Sequence, residues 1–513
     1  MAIKRYYALK DNTITNAWES NLTYRATGSS MGGADILEVF SIYQQAGTSS
    51  AKQDEFSRFM IQFPVTGSDL YNSANSIKKD RTLGNVPASG SVNFYLKMSN
   101  ARHSLTTPRD YGLVVAALDK EWEEGHGLDM DNYSDILYGD MRGSNWISAS
   151  MNTKWTSEGG DWDNDDSSGV TASFTTGIED MEVDVTPIVE KWIAGTKNNY
   201  GFMVRLAPEY EDAEKSYYTK KFFGRTSEFF FKRPMIEARW DSSTRDDRCN
   251  FYYSSSVATL SDNLNTLYYY NFVRGRLRAI PLDADAEVVV SLYTATPEGT
   301  PSATDGKIAL AEGGDVASSG DVNATASTST TGVYSVSLSL TGSTSDHSTL
   351  YDVWQIRKAT DQGEEGYTQI YTGSVKPKSD TGATWHRNRT YVTTIPNLKK
   401  SYSRSDTDRI RLYTREKDWS PTIYSKASNT IERLIIESGS YRVTRNIDSL
   451  EVIPFGTSSD LHTVMSYDVS GNYFDMDFSM LQSGYSYTVD FSYYEDSIGD
   501  WIVQPQKFKF RVK

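Results

Sequence analysis

The chain has 513 residues, more than one hydrophobic core usually serves, and its formal net charge is −15. That charge argues against a surface for nucleic acid or anionic membranes, because both need clustered lysine and arginine. The single cysteine, Cys249, excludes an intrachain disulfide, and a 13% aromatic content favours short strands over helices.

Residues 1–242 read as short strands separated by polar loops. Two sets of apolar side chains recur at every second position, which is the pattern of half-buried strands. The sets are Phe59, Ile61, Phe63 and Val65, and then Val92, Phe94, Leu96 and Met98. We therefore predict a sheet-rich domain over residues 1–242.

One segment of this region, DVTPIVEKWIAG, has a helical pattern instead. Thr186 can cap a helix and Pro187 suits its first position. Gly195 can end it. The residues between them place Ile188, Val189, Trp192 and Ile193 on one apolar stripe. We predict one short helix here.

Two further strand-rich regions follow, at 250–380 and 391–513, each of a size that suits an immunoglobulin-like β-sandwich. The segments VVVSLYT and YSVSLSL indicate strands in the first of them. Residues 299–332 are rich in Thr, Ser, Gly, Ala and Asp, so we predict a long loop there. The closing segment KFKFRVK alternates apolar and basic residues, which predicts a final strand with one wet face.

Motifs for catalysis are weak in this sequence. Gly28, Ser30 and Gly32 spell G-x-S-x-G, but a nucleophile elbow requires the strand-to-helix turn of a parallel sheet. Glu123 and Glu124 are adjacent, so on a strand they face opposite sides and do not form the carboxylate pair of a glycosidase. The five histidines are scattered without the spacing of a zinc site. We expect a protein that is not an enzyme.

An acidic segment, GGDWDNDDSSG, offers a candidate metal site. Asp161, Asp163 and Asp165 have the spacing of the first three ligands of a calcium loop, and a hard cation would relieve their mutual repulsion. Position six is an aspartate instead of glycine and position twelve is Ala172, so the segment departs from an EF-hand. Calcium binding and a solvated acidic turn both remain open.

Seven N-terminal segments, taken in order, resemble the DNRLRE domain. They are FSRFMIQFPV, VNFYLKMSNAR, VVAALDKEWEEGHG, NWISAS, WTSEGGDWD, MEVDVTPIVEKWIAGTKNNYGFMV and RPMIEARW. The positions that match recurring residues of that family are Arg58, Trp122, Glu124, Gly125, Trp146, Trp155, Gly159, Gly160, Asp161, Asp184, Val185, Thr186, Trp192, Asn199, Gly201, Arg233 and Pro234.

The DNRLRE resemblance implies a jelly-roll sandwich over residues 1–242, related to carbohydrate-binding modules. It also implies attachment to polysaccharides or surfaces, although some members of the family act as folded spacers. Tyr268, Tyr269 and Tyr270 of the second region could offer stacking faces for sugars. A tyrosine run in a strand can equally divide between a core and an interface.

The last region resembles a domain of structural proteins from T4-like phages of marine cyanobacteria. The resemblance rests on YSRSDTDRIRLYTREKDWSPTIY, SYRVTRNIDSLEVIPFGT and DVSGNYFDMDFSMLQSGYSYTVDFSYYED. The first residues, MAIKRYYALKDNT, contain no apolar segment typical of a secretory signal. A virion protein made in the host cytoplasm and released by lysis needs none.

We therefore expect a virion structural protein of a tailed phage, placed at the tail, neck, baseplate or head surface. Its partners would be other virion proteins and copies of itself, because Tyr, Trp and Phe at loops and sheet edges suit protein interfaces. The alternative is an adhesin that binds host surface polysaccharide through the jelly roll. Apart from the possible calcium ion, no cofactor is expected, and neither nucleic-acid binding nor membrane insertion is expected.

Overall fold

Strands predominate in the computed structural model, and the predicted all-β sandwich fold is confirmed. The three α-helices of the described residues are short: α1 (Ile77–Thr82), α2 (Thr186–Ala194) and α3 (Pro208–Glu211). None of them has the length and apolar character that a membrane crossing needs. The described residues are 2–20, 22–44, 54–66, 75–103, 109–130, 143–163, 169–215, 218–255, 258–294, 307–311, 322–340, 347–359, 365–378, 390–417, 434–457, 459–495 and 497–513.

The first sandwich is built from two antiparallel sheets, with orders β1-β13-β5-β10 and β12-β3-β4-β11-β6-β9, and β2 pairs with β4. One core lies between the sheets, and Phe59, Phe94, Trp192 and Ile236 are buried in it. The strands are β1 (Ile3–Tyr7), β2 (Lys10–Thr15), β3 (Ile36–Ile42), β4 (Glu55–Gln62), β5 (Asn93–Met98), β6 (Tyr111–Ala117), β7 (Ser148–Ser150), β8 (Thr153–Lys154), β9 (Val170–Phe174), β10 (Met181–Asp184), β11 (Phe202–Leu206), β12 (Tyr218–Phe223) and β13 (Met235–Arg239).

The predicted short helix is confirmed as α2, whose apolar stripe is buried against β5. Gly195 follows it at φ +80°, a left-handed conformation that glycine adopts at low cost. The predicted cap is wrong: Val185 holds the N-cap position, and Thr186 is the first helical residue. The Thr186 hydroxyl instead accepts a hydrogen bond from the backbone N–H of Phe94, at 2.7 Å, and so ties the helix to the sheet.

The second sandwich has sheets of order β14-β21-β18 and β19-β17-β22-β23, with β20 on β21 and a separate β15-β16 hairpin. Leu267, Val290, Leu338 and Trp354 are buried in its core. The strands are β14 (Asn265–Tyr270), β15 (Phe272–Val273), β16 (Arg276–Leu277), β17 (Ala286–Tyr293), β18 (Leu310–Ala311), β19 (Ala324–Thr325), β20 (Ser327–Thr330), β21 (Val333–Leu340), β22 (Tyr351–Ala359) and β23 (Glu365–Thr372).

The prediction of a long loop at 299–332 is wrong for those residues of the range that the structure describes. β18, β19 and β20 lie within it and pair with the longer strands β21 and β17. Leu310 and Ala324 are both buried in the core. Short edge strands need few apolar residues, which explains why composition alone did not indicate them.

The third sandwich has sheets of order β25-β34-β32-β28-β29 and β26-β31-β30, with β33 on β32 and a separate β24-β27 pair. The predicted final strand is confirmed as β34, where Phe510 and Val512 are buried between exposed basic residues. The strands are β24 (Tyr391–Thr394), β25 (Ser401–Tyr402), β26 (Thr407–Arg411), β27 (Tyr413–Glu416), β28 (Gly439–Arg445), β29 (Leu450–Ile453), β30 (Ser466–Asp468), β31 (Gly471–Asp477), β32 (Ser486–Glu495), β33 (Asp500–Val503) and β34 (Phe508–Val512).

Candidate functional site

Arg58, one of the residues on which the expected resemblance to the DNRLRE domain rests, is buried and contacts several partners. Its guanidinium lies 5.0 Å from the ring centroid of Trp146 and 4.8 Å from that of Trp162. It donates to both carboxylate oxygens of Glu211, at 3.0 and 2.9 Å, and to the carbonyl of Gly159 at 3.1 Å. Arg58 therefore fastens the segment that carries both tryptophans to strand β4.

Trp122 and Trp155, two further tryptophans on which that resemblance rests, lie in a second, smaller core on this side of the sheet. The indole N–H of Trp122 donates to the carbonyl of Tyr200, and that of Trp155 donates to the carbonyl of Asn145, both at 2.8 Å. The cluster comprises Ile14, Met60, Leu118, Trp122, Trp146, Ala149, Trp155 and Met203. These side chains are buried, so they build the fold and offer little surface to a ligand.

The two candidate calcium ligands that the structure describes, Asp161 and Asp163, each form an ion pair with a lysine. Asp161 pairs with Lys120 at 2.7 Å, and its carboxylate accepts the backbone N–H groups of Thr156 and Ser157. Partial burial raises the pKa of Asp161, but these partners outweigh it and leave the pKa below its usual range. Asp163 pairs with Lys197 at 2.6 Å.

Asp165, the third candidate ligand, lies outside the described residues. Among the residues that are described, no three His, Cys, Asp or Glu side chains gather as metal ligands would. Lysine ammonium groups occupy the place beside Asp161 and Asp163 that a cation would take. Calcium binding by this segment stays a prediction.

Ser30 of the G-x-S-x-G motif lies in a closely packed turn. It is 2% exposed, and its hydroxyl donates to the carbonyl of Glu124 at 3.1 Å. A Cβ atom on Gly32 would lie 2.2 Å from that same carbonyl oxygen, which explains the glycine. The Glu124 carboxylate is held by Arg225 through two hydrogen bonds of 2.5 and 2.6 Å. Ser30 and Glu124 thus serve to pack this turn.

A buried ion network joins the first sandwich to the third. Glu237 is fully buried and pairs with Arg5 and Arg239, both at 2.7 Å. Burial raises the pKa of Glu237, but the neighbouring cations lower it by a larger amount. The pKa of Glu237 therefore lies far below its usual range. Arg239 continues to Asp460 of the third sandwich at 2.9 Å.

His462 lies in the same junction and is 3% exposed. Neither ring nitrogen has a hydrogen-bond partner among the described residues. Burial, together with the charge of Arg239, lowers the pKa of His462 from 6.5 to about 4. The imidazole is therefore neutral at pH 7, and charging it would disturb the contact between the two sandwiches.

The three consecutive tyrosines divide between a core and a surface. Tyr269 packs on Trp354, Tyr334 and Tyr371 at centroid distances of 5.6, 6.3 and 5.6 Å. Tyr268 and Tyr270 point the other way and stack on each other at 6.3 Å. Tyr270 continues this stack to the exposed ring of Phe272, at 6.5 Å.

The β15-β16 hairpin that carries Phe272 is a feature that the sequence analysis missed. Its turn residues, Arg274 and Gly275, have φ angles of +53° and +75°, which is typical of a two-residue hairpin turn. Phe272, Val273 and Leu277 are 63%, 49% and 38% exposed. The signal was present in the sequence as NFVRGRL, an Arg-Gly pair between apolar residues.

Two of the grooves formed by the described residues could each admit part of a ligand or partner. The first, named here the junction groove, measures about 740 Å³ and lies between the second and third sandwiches. It is lined by Arg245, Asp247, Asn250, Tyr252, Tyr253, Ser255, Ala258, Ser261, Asp262, Asn263, Leu264, Asn265, Thr266, Ser337, Glu437 and Tyr467. The second, the sheet groove, measures about 510 Å³ in the first sandwich, with Phe40, Asp35, Glu38 and Arg102 among its lining residues.

No protein-family model matches this chain, and no curated protein matches it. A solved DUF4785 family protein from Legionella pneumophila is 6% identical, over 93% of this chain and 90% of that one, with a TM-score of 0.14. E. coli alpha-2-macroglobulin in its native conformation is 9% identical, over 82% of this chain and 20% of that one, also with a TM-score of 0.14. This TM-score is too low to indicate a shared fold.

Proposed function

We propose that this protein is a non-enzymatic structural component of a tailed-phage particle, at the tail, neck, baseplate or head surface. It would work by protein–protein assembly with other virion proteins and with copies of itself. The proposal rests chiefly on the exposed apolar residues of the β15-β16 hairpin. The other candidate functional side chains, Arg58, Ser30 and Glu124, are instead held in contacts within the fold. Exposed apolar side chains that cluster are typical of interaction surfaces.

Three groups with catalytic potential support a non-enzymatic role through their surroundings. Arg58 is held by Glu211, Glu124 is held by Arg225, and the Ser30 hydroxyl is bound to a backbone carbonyl. A general base or nucleophile must instead reach a substrate within hydrogen-bond distance. All three groups are held by other parts of the chain, and Arg58 and Ser30 are also buried, so these contacts favour a role in stabilising the fold.

A further surface supports assembly, at the edge of the third sandwich. Strand β33 pairs only with β32 among the described residues, and it exposes Ile502 and Val503 to the extent of 36% and 49%. The neighbouring Ile498 is 50% exposed. An apolar edge strand of this kind suits pairing with a neighbouring chain in an assembly.

Electron cryo-microscopy of purified phage particles tests the proposal. We expect density for this chain in repeated copies with the symmetry of a ring, collar, sheath or fibre. Mass spectrometry of the same particles supplies an independent readout. Absence of the protein from particles, with the chain found free or bound to cells, would refute the structural role.

The sheet groove favours a second candidate function, an adhesin that binds host polysaccharide. Phe40 lines this groove, together with the charged residues Asp35, Arg102 and Glu38, of which Glu38 pairs with Lys221. A pocket with an apolar wall and a few convergent polar groups is typical of small-ligand sites. A glycan array with the wild-type chain and a Phe40→Ala variant tests it, and binding that Phe40→Ala abolishes would support the adhesin.

A further inference from the structure

The β15-β16 hairpin, named here the arm, combines exposed apolar side chains with basic side chains whose charges have no partner among the described residues. Arg274, Arg276 and Arg278 are exposed, and their guanidinium groups form no ion pair or hydrogen bond within the described part of the chain. Phe272 and Leu277 are paired across the two strands of the same hairpin. A two-stranded hairpin of this size is marginally stable alone, so a partner surface would stabilise it.

The junction groove has the complementary character. Asp247, Asp262 and Glu437 line it, against a single cation, Arg245. None of the three carboxylates forms an ion pair within the described residues, although each accepts a hydrogen bond. Burial raises the pKa of Asp247, and the charge of Glu437 raises it further, so a cation in this groove would be stabilised.

The apolar part of the groove also suits the arm. Leu264 and the rings of Tyr252 and Tyr253 lie along its wall. A volume of about 740 Å³ accommodates several side chains of a hairpin tip. Tyrosine and arginine are among the residue types that are enriched at the positions contributing most to binding energy in protein interfaces.

The arm and the groove lie at opposite ends of one strand, β14. Asn265, its first residue, lines the groove, while its last residue, Tyr270, leads into the arm at Phe272. Seven residues of extended chain span roughly 20 Å, so the arm does not reach the groove of its own chain. From this separation we infer that the arm of one copy docks in the junction groove of a second copy.

Contact of this kind is head-to-tail, because two different surfaces meet. Such contacts close into rings when the rotation between copies permits and otherwise extend as filaments. The inference rests on the proposed assembly function and deepens it by naming the partner and the two surfaces. It also explains why a chain with a formal net charge of −15 keeps three unpaired arginines in one hairpin.

Sedimentation velocity of the full chain over a concentration series, at low and high salt, tests the inference. The wild-type chain should assemble. Its association should be weaker at high salt, because salt screens the interaction between exposed charges. Arg276→Glu in the arm and Asp262→Lys in the groove should each weaken association at least about tenfold, since each places like charges together. Both replaced residues are exposed, so both variants should fold.

The double variant, Arg276→Glu with Asp262→Lys, should regain assembly because the two charges are exchanged. Lys509→Glu is the matched control, since Lys509 is exposed on β34 with no ion pair among the described residues, and it should assemble as wild type does. Circular dichroism confirms that each variant is folded.

Three outcomes would overturn the inference. Wild-type assembly that survives both single variants would reject the arm and groove while leaving the proposed virion role intact. Assembly that requires added DNA and disappears with nuclease would assign the arginines to nucleic acid instead. A wild-type chain that stays monomeric at every concentration also rejects the docking, and the particle analysis then decides the virion role separately.

Discussion

Arg58 and Arg239 of the first sandwich lie inside the molecule beside their carboxylates, whereas the arginines of the arm in the second sandwich lie in solvent. Arg58 is 8% exposed and bound to Glu211, but Arg274, Arg276 and Arg278 are exposed without partners among the described residues. Buried cations need partners because desolvation is costly. Exposed cations remain solvated and need no partner within the chain. An exposed arginine beside apolar residues can therefore bind another molecule.

The largest effect should come from breaking the buried network of the first sandwich. Replacing Glu237→Gln keeps the shape of the side chain but leaves Arg5 and Arg239 without their shared carboxylate. Removing one partner of a buried ion pair costs about 3–5 kcal/mol. Urea unfolding followed by tryptophan fluorescence should show this loss, while Glu209→Gln, at an exposed site, should change the midpoint little.

A second effect concerns acid and the junction of the first and third sandwiches. The folded protein holds the pKa of His462 at about 4, against 6.5 for an unperturbed histidine. The unfolded chain therefore binds more protons between these values, so stability is lost as the pH falls from 6.5 to 4. The expected contribution is about 3 kcal/mol.

The measurement for His462 is the free energy of unfolding across this pH range, for wild type and for His462→Asn. The difference between the two proteins isolates His462 from other groups, such as Asp246, whose pKa is raised by burial to about 6. The difference should change by about 3 kcal/mol between pH 6.5 and pH 4. Parallel curves would contradict a buried neutral imidazole.

A smaller effect should follow from Gly201→Ala. Gly201 has φ +93°, and a Cβ atom there would lie 2.3 Å from the carbonyl oxygen of Ile61. Gly90→Ala is the matched control, because Gly90 has φ +87° with open space around it. Backbone strain costs both variants about 1–3 kcal/mol, so any additional loss of melting temperature in Gly201→Ala measures the contact with β4.

The smallest effect on stability should be that of Arg276→Glu in the arm. Substitutions at exposed positions without partners usually change stability by less than about 0.5 kcal/mol. Thermal unfolding at a concentration where wild type is monomeric should give the same melting temperature for both proteins. A large loss of melting temperature would mean that Arg276 stabilises its own sandwich. Arg276 would then resemble the buried Arg58 in supporting the fold.

Local patterns of the sequence predicted local structure well. Helix α2 follows from Pro187, an apolar stripe and Gly195, and strand β34 follows from strict alternation. The capping role predicted for Thr186 is wrong, because its hydroxyl accepts the backbone N–H of Phe94, a residue distant in the chain. Capping rules consider neighbouring residues only, so they do not anticipate such a partner.

The arrangement of the candidate surfaces depends on distant residues, and the sequence did not predict it. Glu237 meets Arg5 only because β1 and β13 pair, and Asp460 reaches Arg239 from another sandwich. The composition of the junction groove likewise depends on packing between two sandwiches. The arm is different, since its turn and its arginines are adjacent in the sequence.

The position of Ile3 has a consequence for the order in which the molecule forms. Ile3 lies on β1 of the first sandwich, yet its side chain is buried in the core of the third, beside residues near the end of the chain. Domains generally fold as units during synthesis, from the N-terminus onward. The third core therefore closes last, around a side chain that the first sandwich has already positioned, and a third sandwich made alone would lack that part of its interior.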